Sequence, residues 1–293
     1  MTTPDSALPA DNRKPRDDEL DVYALTHIGK VRKTNQDHFL LASIHKRIQL
    51  MQTSLSDQQR LPFGDQRLGI FAMIADGVGG GEGGEKASAT TLEIATQYLV
   101  SSTDCFYRAD ATEGEFMHAL QDAALRCHAA VVERAKSEPG IRSMATTLTL
   151  WMGVWPWYYV LQVGDSRYYL YREGKLTQVS RDQTLAQDLV DQGVFSRAVG
   201  LKSRFANVLS SAIGGQHTEP VVTRLRSEWY IVHLMCSDGL TKHVPDERIA
   251  ERLAAMTSSK QVCEQLLQDA LEGGGTDNVT IVVGRAVPKP QPA

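Results

Sequence analysis

Three short segments of this chain set an aspartate at one end of an apolar, strand-like run. They are Ile70-Phe71-Ala72-Met73-Ile74-Ala75-Asp76-Gly77, Ile231-Val232-His233-Leu234-Met235-Cys236-Ser237-Asp238-Gly239 and Thr276-Asp277-Asn278-Val279-Thr280-Ile281. A buried strand followed by glycine delivers its carboxylate where the backbone can turn sharply. Taken singly, each Asp-Gly reads as a surface turn. Taken together, with Asn35-Gln36-Asp37 as a fourth, they read as one acidic cluster.

Carboxylates packed together raise one another's pKa values, so an ionised cluster needs a cation. All-oxygen donors favour Mg²⁺ or Mn²⁺ over zinc, and no Cys or His pair has zinc-finger or HExxH spacing. The eight histidines, His38 beside Asp37 included, show no ligand spacing and read as core or surface residues.

The surroundings of these aspartates carry a resemblance. Arg32-Lys33-Thr34-Asn35-Gln36-Asp37, Ala75-Asp76-Gly77-Val78-Gly79-Gly80, Met144-Ala145-Thr146-Thr147, Val163-Gly164-Asp165-Ser166-Arg167, Cys236-Ser237-Asp238-Gly239-Leu240 and Asp277-Asn278-Val279-Thr280 follow one another along the chain. In that order they resemble the motif series of the metal-dependent protein phosphatases, the PPM family of type 2C, in its bacterial form. Single motifs are weak, but the ordered set runs from about Tyr23 to Val287.

The resemblance implies an α+β fold of four layers, αββα, with two antiparallel sheets flanked by helix pairs. It implies hydrolysis of phosphoserine or phosphothreonine on proteins by a water activated between two Mn²⁺ or Mg²⁺ ions. Asp76 would bridge the ions and act in catalysis, with the Gly77 carbonyl also facing a metal. Asp238 and Asp277 would complete one shell, and Asp37 would hold the second ion directly or through water. Arg32 would grip the substrate phosphate with its planar guanidinium. The implied partners are phosphorylated proteins, the natural counterpart being a eukaryotic-like Ser/Thr kinase, and the chain is expected to be a monomer.

Departures from the family pattern carry their own expectations. Val78 stands where many eukaryotic members have a histidine that protonates the leaving group, and Gln36 replaces a common acid. Arg142 lies where many bacterial members place an aspartate for a third metal, so no stable third metal is expected. Residues 184–214 correspond to the family's mobile flap, with Gln183 in place of the usual histidine. Thr146 and Thr147 are expected only to support the ligands, Asn278 to orient the loop at Asp277, and Asp165 to sit in a tight turn with Arg167 paired to an acid.

Two rivals belong to other classes. Gly79-Gly80-Gly81-Glu82-Gly83-Gly84 formally satisfies the dinucleotide fingerprint GxGxxG, but the helix after it runs into Ser101-Ser102-Thr103-Asp104 rather than a strand ending on an acid. An inactive phosphatase-like module that binds phosphoproteins is the other; against it, each carried-over ligand position holds an acid.

The elements that must position these residues follow from periodicity. Strands are expected at 22–26, 38–44, 68–75, 146–154, 157–163, 167–172, 176–179, 221–225, 230–236 and 279–283, with Asp165-Ser166 and Glu173-Gly174 as hairpin turns. Helices are expected at 85–100, 113–136, near 246–255 and at 260–271. Strands grouped with strands argue α+β rather than βαβ alternation.

Composition agrees. In 293 residues, 42% are hydrophobic and 23% charged, enough to bury a sizeable core. The net charge of −4 and the lack of a basic stripe argue against nucleic acid, and nothing implies a membrane surface. Cys105, Cys127, Cys236 and Cys263 are widely spaced, which suits reduced thiols and a cytoplasmic setting. Residues 1–20 read as a disordered tail, 21–287 as one domain and 288–293 as a Pro-rich end.

Overall fold

The computed structural model describes residues 13–46, 66–79, 82–102, 112–138 and 143–289. Its strands are β1 (Leu20–His27), β2 (Asp37–Lys46), β3 (Gln66–Val78), β4 (Ala145–Thr146), β5 (Leu148–Val154), β6 (Trp157–Val163), β7 (Arg167–Arg172), β8 (Lys175–Gln178), β9 (Val221–Arg226), β10 (Val232–Cys236) and β11 (Val279–Ala286). Its helices are α1 (Glu82–Ser101), α2 (Glu113–Ser137), α3 (Leu185–Asp191), α4 (Arg197–Lys202), α5 (Asp238–Thr241), α6 (Asp246–Ala254) and α7 (Ser259–Glu272). The strands form two antiparallel sheets, ordered β1-β11-β10-β7-β8 and β2-β3-β5-β6-β9, with β4 paired to β3.

Three apolar cores divide this material into four layers. Alternate residues of a strand face opposite sides, so Met73, Leu148, Leu150 and Met152 meet Leu92, Leu99 and Leu120 of α1 and α2. In the other sheet Leu234, Ile281 and Val283 meet Ile249, Leu253, Val262 and Leu266 of α6 and α7. Between the sheets lie Ala72, Ile74, Tyr158, Val160, Tyr168, Met235 and Val282. The α+β, αββα architecture is therefore the observed one.

The same alternation aims the acids. Phe39 and Leu41 pack between the sheets, so Asp37, at the same parity of β2, lies on that face too. Ala72 and Ile74 do the same for Asp76 on β3, and Asp37 is paired with Asp76 across the two strands. The opposite end of this layer holds an apolar cavity of about 90 Å³ beside Trp151, His233 and Met235, remote from the carboxylates.

Several expectations are corrected. Asp165-Ser166 is not a hairpin turn: β6 pairs β5 and β9, whereas β7 pairs β10 and β8, so the chain crosses from one sheet to the other there. Gly164, at φ +103°, makes the crossing possible, since a Cβ would stand 2.6 Å from Thr147 Cγ2. The strand expected at 146–154 breaks at Thr147, whose N–H donates to the Asp76 carbonyl (2.9 Å). Residues 181–214 contain α3 and α4, capped by the Thr184 and Ser196 hydroxyls, too short to show a periodic pattern.

Of the tail expected over 1–20, the part from Arg13 is docked, which corrects that boundary; residues 1–12 lie outside the described residues. The buried Glu19 carboxylate binds Arg13 through two hydrogen bonds (2.6 and 2.7 Å) and accepts from the Arg16 N–H (2.7 Å), which holds its pKa down at about 2. Arg67 donates to the Pro15 carbonyl, and Lys14 to the carbonyls of Arg67 and Leu68. At the other terminus the Lys289 N–H reaches Glu19 (3.2 Å), while 290–293 and Cys105 lie outside the described residues.

Candidate metal centre

Asp37 opens β2, Asp76 lies near the end of β3, Asp238 opens α5 just after β10, and Asp277 stands two residues before β11. Two acids thus come from each sheet. Close backbone approach makes the meeting possible: a Cβ on Gly239 would lie 1.9 Å from the Asn278 carbonyl oxygen, and one on Gly77 2.4 Å from that of Gly84.

Neutral groups set the acids in place. Ser237 Oγ and Thr280 Oγ1 both donate to Asp37 Oδ2 (2.7 and 2.8 Å). Asp37 Oδ1, buried, has no hydrogen-bond partner. The Asp76 N–H donates to Thr147 Oγ1 (3.0 Å), and Thr146 Oγ1 donates to the Asp76 carbonyl (2.8 Å). Asn278 accepts from the Gln36 N–H (2.9 Å) and donates to the carbonyls of Ile28 and Thr34, tying the Asp277 loop to the segment that carries Arg32.

Burial dominates the electrostatics. It pushes Asp37 up to about 6, against the Ser237 and Thr280 hydrogen bonds. It raises Asp76 well above the usual range, with Asp37 and Asp238 adding repulsion. It also raises Asp238, against the pull of Lys242. Asp277 goes the other way: burial would raise it, but hydrogen bonds from Arg32 and Lys242 hold it low.

The sequence reading missed two members of this group. Asp165, read there as a turn residue, is pushed by burial up to about 7, with Asp238 and Asp182 adding repulsion and the Lys242 charge pulling the other way. The signal was available, since Val163-Gly164-Asp165 is another strand end followed by an acid. Lys242 stands four residues after Asp238, the spacing at which a helix pairs opposite charges. Its Nζ is 2.6 Å from Asp238 Oδ2 and 2.7 Å from Asp277 Oδ2. Arg167 pairs with Asp182 through Nε and Nη2 (2.9 and 2.7 Å), the acid partner expected for it.

Arg32 is half-exposed and reaches Asp277, with Nε 2.7 Å from Oδ1 and Nη2 2.8 Å from Oδ2. Val78 is exposed at the rim. Gln183 anchors the base of the 184–214 segment, its Oε1 accepting from the Gly164 N–H (2.6 Å) and its amide donating to the Glu219 carbonyl (2.9 Å). A cleft of about 390 Å³ opens between that segment and the acids, lined among others by Asp165, Asp182, Arg197, Asp238 and Lys242. Arg142, on which the expectation of no third metal rests, lies outside the described residues.

Five carboxylates, Asp37, Asp76, Asp165, Asp238 and Asp277, therefore gather at one end of the inter-sheet layer, with Arg32 and Lys242 against them. Among the described residues no three acid, histidine or cysteine side chains already converge as a closed ligand set. The donors nonetheless fit a hard divalent cation, being oxygen throughout, with Asp37 Oδ1 unpartnered.

Residues 52–273 match the family model described as protein phosphatase 2C. The serine/threonine protein phosphatase PstP of Mycobacterium tuberculosis (strain ATCC 25618 / H37Rv) is 34% identical over 215 residues, 73% of this chain and 40% of that protein. This chain thus spans less than half the length of that relative. A crystal structure of the M. tuberculosis serine/threonine phosphatase PstP/Ppp superposes with a TM-score of 0.73 at 28% identity, covering 92% of this chain and 99% of the other. The catalytic domain of PstP in complex with two manganese ions gives 0.70 at 30% identity, with the same coverage. A family model that spans most of the chain, and a fold shared with its members, place this protein in the protein phosphatase 2C family.

Proposed function

We propose that residues 21–287 form a metal-dependent phosphatase that hydrolyses phosphoserine and phosphothreonine on proteins, using two Mn²⁺ or Mg²⁺ ions. The observation that carries this reading is the meeting of acids from both sheets around Asp37 Oδ1, a buried oxygen without a partner. Asp76 would bridge the ions, with the Gly77 carbonyl, Asp238 and Asp277 on one side and Asp37 on the other. The relative solved with two manganese ions supports the count. Bound there, the ions would lower the pKa of a water and neutralise phosphate charge.

The chain's own residues supply position. Ser237 and Thr280 hold one oxygen of Asp37 and leave the other to a cation. Thr146 and Thr147 fix the backbone of Asp76 on both its carbonyl and its N–H. Arg32 pairs with Asp277 through Nε and Nη2, which leaves its Nη1 edge for phosphate oxygens. Substrates would be phosphoproteins, the opposing enzyme a eukaryotic-like Ser/Thr kinase, the setting the cytoplasm and the active form a monomer. Among the described residues no helix is long and apolar enough to cross a membrane.

The test is release of phosphate from a phosphothreonine peptide with Mn²⁺, with a chelator, and by Asp76→Asn and Asp238→Asn. The expected outcome is hydrolysis that the chelator abolishes and that each variant lowers by about 100-fold or more. Metal binding without hydrolysis of any phosphopeptide would favour the phosphoprotein-binding module instead.

A further inference from the structure

Both oxygens of Asp277 are already held by cationic side chains. Oδ1 meets Arg32 Nε (2.7 Å) and also accepts from the Asn278 N–H (3.0 Å). Oδ2 meets Arg32 Nη2 (2.8 Å) and Lys242 Nζ (2.7 Å). The same Lys242 ammonium meets Asp238 Oδ2 at 2.6 Å. It therefore spans the two carboxylates assigned to one ion.

We propose that Lys242 is a tethered cation that competes with a divalent ion for Asp238 and Asp277. Loading that pair would then be an exchange, in which an ion enters as the ammonium leaves. The inference rests on the metal-dependent reading above.

Three observations favour exchange over a fixed supporting role. A fixed supporter would bond one oxygen and leave the other to the ion, as Ser237 and Thr280 do for Asp37, whereas Asp277 has neither oxygen left over. Of its two cations, Arg32 grips with a planar fork, while Lys242 presents a compact charge on a flexible stem and can swing. It also has somewhere to go. Asp165 and Lys242 line the same cleft of about 390 Å³, which is open beside the ammonium. A moved ammonium would neutralise Asp165 and remain near the ions without occupying their ligands.

Two consequences separate this from a supporting role. Removing the charge should tighten metal binding, because the ion no longer displaces a cation, and should destabilise the metal-free protein, because the acids lose their resident counter-charge. A supporting donor would do the reverse to metal affinity, since its loss leaves the ligands less ordered.

The experiment is isothermal titration of metal-free, full-length protein with Mn²⁺ at fixed ionic strength, for wild type, Lys242→Gln and Lys242→Arg, with thermal melts of each with and without Mn²⁺. The expected result is about tenfold or greater tightening in Lys242→Gln, a lower metal-free melting temperature and a larger rise on adding Mn²⁺. Lys242→Arg, which keeps the charge, should stay within a few-fold of wild type in affinity and show by its melt that the position tolerates replacement. Affinity in Lys242→Gln that is unchanged or weaker, in protein with a cooperative melt, would overturn the exchange while leaving the metal-dependent reading intact. If Lys242→Gln does not fold, Lys242→Met is titrated under the same criterion. Wild type that binds no Mn²⁺ would overturn both readings together.

Discussion

Asp37 shows how residues that carry no charge prepare a carboxylate for a cation. Its Oδ2 is tied by two hydroxyls, and its Oδ1 is left buried and unpaired. Hydrogen bonds to the ionised form favour that form, so Ser237→Ala should weaken Mn²⁺ binding several-fold by isothermal titration. It should also cost about 1 to 2 kcal/mol in a urea melt, because Oγ also accepts from the Thr280 N–H. An unchanged affinity would reduce Ser237 to a structural bond. Gly239→Ala tests the backbone: with a Cβ 1.9 Å from the Asn278 oxygen, the loops must part, and the melt should lose about 3 kcal/mol or more. At this scale the sequence was readable where an acid ended an apolar run, as at Asp76 and Asp238. It was not readable at Ser237, Thr280 or Lys242, whose importance comes from partners far away in the chain or from a helix one turn long.

At the scale of elements, alternation and apolar spacing located each long strand and helix to within a few residues, because burial on one face writes the period into the sequence. What the period cannot say is which sheet a strand joins. Arg167–Arg172 follows Trp157–Val163 as closely as a hairpin partner would, yet it pairs in the other sheet. The crossing is fixed by contacts outside both strands, where Ser166 Oγ meets Thr147 Oγ1 (2.8 Å) and Arg167 grips Asp182. Arg167→Met should therefore leave Asp182 a largely buried, uncompensated carboxylate, for about 3 kcal/mol of stability in a urea melt. If that melt is unchanged, the pair does not hold the base of the 184–214 segment. Arg167→Lys should recover only part of the loss, since it cannot form the two-point contact.

For the whole molecule, the inter-sheet layer links two ends with opposite demands. One end collects acids; the other encloses His233, whose Nδ1 lies 2.6 Å from the Tyr168 hydroxyl, with the rings of Trp151 and Tyr158 close by. Burial pushes His233 down to about 3. The unfolded chain takes up a proton near pH 6.5 and the folded chain does not, so this histidine favours folding above pH 6.5 and the advantage is lost as pH falls from there toward 3. The neighbouring cavity opens part of the ring, so the expected difference between wild type and His233→Gln is about 1 to 2 kcal/mol at pH 5 relative to pH 7.5. Urea melts at the two pH values check it, and equal slopes for both proteins would place the histidine in water. The docking of 13–19 was likewise invisible from the chain's polar composition, because Arg67 reaches the Pro15 carbonyl and the Lys289 N–H reaches Glu19 only once the folded layers bring them near. Finally, the pairing of β2 with β3 keeps one register from Asp37 opposite Asp76 to Ile44 opposite Gly69, and shifts only between Ile44 and His45. Slipping a strand by a single residue would turn Asp37 from the sheet interface to the helix side. The bulge acts as an expansion joint: the irregularity is confined to the far end of the ribbon, where His45 lies opposite Arg67 and Lys46 opposite Gln66, and the end that carries Asp37 and Asp76 keeps its alignment.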